Sequence, residues 1–77
     1  MAKFLSAKDV TKRTTLSAQS MIIYAQRGEF PPAVKILGQR NVWVESEIES
    51  WIRMKIAGKD GDEVKKEIAR MVKARKD

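Results

Sequence analysis

Apolar residues change their spacing twice along this chain, and the changes divide it into elements. From Val34 to Val44 the spacing is short: Val34-Lys35-Ile36 alternates apolar with basic, and Val34, Ile36, Val42 and Val44 are all β-branched, as in strands with one wet face. Before this stretch the spacing is helical. Val10 opens the apolar side of a short first helix, and Ala18, Met21, Ile22 and Ala25 fall within one arc of a second. After it, Ile48, Trp51 and Ile52 form the inward stripe of a third helix, and Val64, Ile68, Met71 and Val72 recur at helical spacing in a fourth. The pattern predicts a mainly α chain with a small β-hairpin.

Local signals set the boundaries. Ser6-Ala7-Lys8-Asp9 reads as a capping box for helix one, which Thr14 and Thr15 interrupt; Ser17 then opens helix two, which runs to Arg27. So short a connection turns the two helices sharply against each other, as in a helix-turn-helix. Gly28 closes the second helix, because glycine enters the left-handed conformation without steric cost. Pro31 and Pro32 hold the following chain extended. Gly38-Gln39-Arg40-Asn41 is the expected hairpin tip, and Ser46 with Glu49 the expected capping box of helix three. Gly58-Lys59-Asp60-Gly61 reads as a linker, and helix four starts near Asp60 or Asp62. Its Glu63–Lys66 and Glu67–Arg70 spacings suit ion pairs along one turn. Phe30, Trp43 and Trp51 are expected to pack together beneath the hairpin.

The 77 residues make one small core, and the organisation expected is a unit over residues 1–58 followed by a linker and amphipathic charged helix over residues 59–77. With no cysteine and no histidine, disulfides and the usual zinc ligands are absent. Nothing supplies a nucleophile with its base, and Glu45, Glu47 and Glu49 are explained by the dipole at a helix start, so neither an enzyme nor a bound cofactor is expected. No long apolar run indicates a membrane span, and the N-terminal stretch is too short for a signal peptide, which points to a cytoplasmic protein. A net charge of +6 suggests a polyanion as partner, and it is spread as +3 over residues 1–30, +1 over 31–58 and +2 over 59–77.

On helix two, Gln19, Ser20, Ile23, Gln26 and Arg27 point away from the expected core. Glutamine can hydrogen-bond the major-groove edge of adenine, and an aliphatic group can touch a thymine methyl. The same face also reads as an ordinary solvated surface with one stray isoleucine. Tyr24 lies at the edge of the arc, where its hydroxyl reaches either solvent or a phosphate. The stripe of helix four is expected to pack onto its own domain or a second copy.

Leu16-Ser17, Arg27-Gly28-Glu29-Phe30-Pro31, Val34-Lys35-Ile36, Gly38, Arg40, Trp43, Ser46-Glu47-Ile48 and Trp51 resemble the AlpA family of phage and prophage regulators, which is similar to the excisionases and the MerR-type winged helix-turn-helix proteins. The resemblance covers residues 4–54. It implies a winged helix-turn-helix with an additional C-terminal helix, in which helix two enters the major groove of double-stranded DNA and the hairpin wing lies on the backbone or minor groove. With that placement, the residue reading gives as candidate DNA contacts Ser17, Ala18, Gln19, Ser20, Ile23, Tyr24 and Arg27 on helix two, and Lys35, Gln39, Arg40 and Asn41 on the wing. Transcriptional regulation, excisionase activity or both would follow. The alternative is a protein-interaction module that uses the same fold to bind an integrase or a regulator. Self-association on DNA is a further expectation, and no membrane partner is expected. Ala18, Ile22 and Ile23 depart from the family's usual basic, hydroxyl or tyrosine residues, so the reading helix is less basic than the resemblance implies.

Overall fold

The computed structural model describes residues 3–38 and 40–75. Four helices surround a three-stranded antiparallel sheet: β1 (Phe4–Leu5), α1 (Ala7–Thr14), α2 (Ala18–Gln26), β2 (Val34–Leu37), β3 (Arg40–Val44), α3 (Glu45–Ile56) and α4 (Gly61–Ala74), with strand order β1-β3-β2. This is a helix-turn-helix with a hairpin wing and an extra C-terminal helix, as the sequence predicts.

The three-residue turn into α2, Thr15-Leu16-Ser17, is held largely by hydroxyl groups. At the start of α1 the expected capping box forms, with Asp9 N–H donating to Ser6 Oγ at 3.2 Å and Ser6 N–H to Asp9 Oδ2 at 3.4 Å. At its end Thr14 Oγ1 donates to the Val10 carbonyl at 2.8 Å and accepts from Leu16 N–H at 3.3 Å. Thr15 takes the left-handed conformation with φ of 64°. Ser17 then caps α2, its Oγ accepting from Ser20 N–H at 3.1 Å. Gly28, at φ of 78°, ends that helix as expected.

The sheet departs from the sequence reading in three places. First, Phe4 and Leu5 form an edge strand opposite Val44 and Trp43, an element the pattern does not predict. Second, β3 already includes Arg40 and Asn41: Lys35 faces Asn41 and Leu37 faces Arg40, with an irregularity between Lys35 and Leu37, so the tip is shorter than Gly38-Gln39-Arg40-Asn41. Gln39 itself lies outside the described residues. Third, the Ser46–Glu49 capping box does not form. Helix α3 begins at Glu45 with Val44 as its N-cap and no side-chain cap. The residue preceding the edge strand satisfies the first free amide of the helix instead, as Glu45 N–H donates to the Lys3 carbonyl at 2.8 Å. Glu49 is drawn instead to Arg13, at 3.3 Å, and the same guanidinium reaches Glu45 at 3.0 Å. These carboxylates thus pin α1 to α3, beyond any interaction with the helix dipole.

Leu5, Val10, Met21, Phe30, Trp43 and Ile48 are buried in one cluster, against which Leu16, Tyr24, Trp51 and Ile52 pack. Phe30 and Trp51 meet edge to face, ring centroids 4.9 Å apart, and Trp51 Nε1 donates to the Glu29 carbonyl at 2.8 Å. The expected aromatic core therefore forms. A second cluster joins Met54, Val64 and Ile68, with Trp51 and Met71 against it, so Trp51 belongs to both. The α4 stripe thus packs on its own chain through Val64, Ile68 and Met71, while Val72 stays exposed. On the solvated side of α4, Glu67 pairs with Arg70 at 2.7 Å; Glu63–Lys66 is not among the ion pairs of the described residues.

Candidate nucleic-acid interface

Helix α2 turns a different side inward from the arc the apolar pattern selects. Met21 is fully buried and Tyr24 packs on the core, whereas Ile22 is 50% exposed and Ala18 is exposed. The outward face is therefore Ala18, Gln19, Ile22, Ile23 and Gln26, with Arg27 on its flank. The helix carries apolar residues on nearly every side, so a wheel cannot choose between an arc through Ile22 and one through Tyr24. Burial of Met21 in the core cluster and packing of Tyr24 against it choose.

The candidate residues on α2 fall into two groups. Ser17 and Ser20 are engaged with each other, as Ser17 Oγ caps the Ser20 amide and also donates to Ser20 Oγ at 3.0 Å. Tyr24 is half-buried, with the Arg27 guanidinium 5.9 Å from its ring centre, so its ring braces the helix end. Gln19, Ile23 and Arg27 are exposed together with Ala18. Ile22 and Gln26, absent from the candidate contact set, complete this surface.

The wing lies along the Ile22 side of α2. One cleft is lined by Ile22, Gln26, Lys35, Asn41 and Trp43, so a helix face and a strand pair meet there. Lys35 and Asn41 are directly opposite in the ladder, and both are exposed, as is Arg40 one residue further. Trp43 lies buried at the root of this cleft with its indole N–H unpartnered among the described residues.

Charge separates this surface from the rest of the molecule. From Thr15 to Val44 the only acidic residue is Glu29, against Arg27, Lys35 and Arg40. None of these three cations is in an ion pair among the described residues, whereas Glu45, Glu47 and Glu49 are held by Arg13 and Arg75 elsewhere. A duplex approaching α2 and the wing would meet amides, aliphatic groups and unneutralised cations. No helix among the described residues is long and apolar enough to cross a membrane.

Residues 3–56 match the family model described as prophage CP4-57 regulatory protein (AlpA). Over 57 residues, 74% of this chain, the sequence is 33% identical to an uncharacterized protein, ORF88, of Enterobacteria phage P4, and the chain spans 65% of that protein's length. No solved structure matches. The helix-turn-helix, the wing and α3 thus lie within the matched segment, and α4 lies beyond it.

Proposed function

We propose that this chain, which belongs to the AlpA family of prophage regulatory proteins, is a sequence-specific double-stranded DNA-binding regulator of a phage or mobile element. Helix α2 would enter the major groove, with Gln19 and Ile23 at base edges and Ile22 and Gln26 beside them. The wing would lie on the backbone or the adjacent minor groove through Lys35, Arg40 and Asn41. One observation carries this reading: the exposed polar and aliphatic face of α2 lies beside a strand pair bearing Lys35 and Asn41, within a stretch that holds a single carboxylate. Amides and methyl groups read bases, while lysine and arginine hold phosphates.

Excisionase activity is the second role within the same mechanism. Selection of bound sites from random duplex DNA separates the roles, since sites recurring in tandem favour cooperative loading and isolated sites favour an ordinary regulator. A protein-contact reading also has an observation behind it, namely Ile22 and Ile23 exposed at 50% and 41% on one helix face. An integrase or another regulator would then dock there. Titration with a mixed-sequence duplex across a salt series tests the proposal. Binding that falls steeply with salt supports it, and no binding at low salt would move the function to the protein-contact class.

A further inference from the structure

Helix α4 lies beyond the matched segment, yet it borders the end of the reading helix. A Cβ placed on Gly28 would sit 3.9 Å from Lys65 Cγ, so the Lys65 stem passes over the residue that closes α2. Arg27, Gly28 and Lys65 line one hollow together with Ala25, Ala69 and Val72. Arg27 and Lys65 are both exposed, and neither is in an ion pair among the described residues. The hollow's lining holds no carboxylate.

The position of Lys65 is fixed by its neighbours. Val64 and Ile68 are buried at 1% and 3% exposure, and they seat the first turns of α4 against Met54. Their burial turns Lys65, Ala69 and Val72 toward the end of α2. Lys66 and Lys73 do not line the hollow, and Arg70 is spent on Glu67. The nine residues of α2 span about 13 Å at a rise of 1.5 Å per residue. A major groove is about 12 Å wide, so a helix whose N-terminal part sits among bases brings its C-terminal end to the phosphate wall.

We propose that Lys65 of α4 and Arg27 of α2 together form a phosphate-binding site at the C-terminal end of the reading helix, so that α4 belongs to the DNA-binding surface. The proposal rests on the duplex-binding reading above. It makes α4 part of the electrostatic footprint without giving it any role in base recognition.

The test uses the full chain and a mixed-sequence duplex, because nonspecific binding is carried by phosphate contacts and needs no known operator. Affinity is measured across a salt series for wild type, Arg27→Ala, Lys65→Ala, Lys66→Ala and Lys73→Ala, with circular dichroism to confirm that each variant folds. Lys65→Ala and Arg27→Ala should each reduce the salt slope by about 0.9, while Lys66→Ala and Lys73→Ala leave it unchanged. A wild-type slope for Lys65→Ala beside a reduced one for Arg27→Ala overturns the site and leaves the duplex reading standing. Equal losses in all three lysine variants would also overturn it, since they would report overall charge. Absence of wild-type binding at low salt overturns both.

Discussion

Arg75 Nε donates to Glu47 Oε2 at 2.8 Å, which ties the end of α4 to the first turn of α3. The same guanidinium donates to the Pro32 carbonyl at 2.8 Å, at the root of the wing. Glu47 is only 7% exposed, so this carboxylate depends on one partner. Breaking a buried pair costs about 3–5 kcal/mol, and Arg75→Ala should fall near the lower end because the Arg75 side chain keeps 24% exposure. Replacing both residues with methionine should recover most of the loss. Urea midpoints of the two variants check this; equal destabilisation by the single and double changes would show that the pair is not the cause.

Trp51 is shared by both apolar clusters and touches Phe30 edge to face. Trp51→Ala should cost about 3–5 kcal/mol, a large part of the stability of a domain this size. An unaltered urea midpoint would contradict the shared role.

Thr15 is β-branched and holds φ at 64° in the turn between α1 and α2. A side chain there is disfavoured by about 1–2 kcal/mol, whereas glycine adopts the conformation freely and loses part of that gain to unfolded-state entropy. Thr15→Gly should therefore stabilise the fold by up to about 1 kcal/mol, or roughly 5 °C in Tm at this chain length. A lower Tm on a calorimetric scan would show that the threonine side chain contributes more than its backbone costs.

Base reading and backbone holding predict opposite mutant behaviour. Gln19→Ala should cost about 1–3 kcal/mol on the preferred site and leave a mixed-sequence duplex nearly unaffected. Lys35→Ala and Arg40→Ala should weaken both duplexes alike and each lower the salt slope by about one. Titration of the two duplexes at matched salt separates these outcomes. Equal weakening of both by Gln19→Ala would remove α2 as the reader.

Residues 1–58 are proposed as the winged unit and residues 59–77 as its addition. A chain ending at Lys59 keeps the cluster around Phe30 but exposes Met54, whose partners Val64 and Ile68 are removed. It should still unfold cooperatively, at lower urea than the full chain. Loss of the cooperative transition would place Val64 and Ile68 in the same indispensable core.

Much of this molecule is written in short-range chemistry, and those parts were legible. Ser6 with Asp9, Ser17, Gly28 and Asp60 start or stop helices through hydrogen bonds within three residues or through one backbone angle. Pro31, Pro32 and the β-branched residues from Val34 to Val44 likewise mark the extended chain and the wing, and the family motif spans this stretch and its flanks from Leu16 to Trp51. Tertiary structure decided the rest. Phe4 and Leu5 are too few to carry a period and become a strand only because β3 offers its edge. Lys3, just before that strand, also satisfies the Glu45 amide, which moves the start of α3 off Ser46. Ile22 and Tyr24 are nearly equivalent on a helix apolar on most sides, and only packing against the buried cluster turns Tyr24 inward and leaves Ile22 beside the wing. Arg75 meets Glu47 across 28 residues of chain, and Lys65 reaches Gly28 from outside the matched segment. No local rule relates residues so far apart, because their proximity follows from how α4 seats Val64 and Ile68 against Met54.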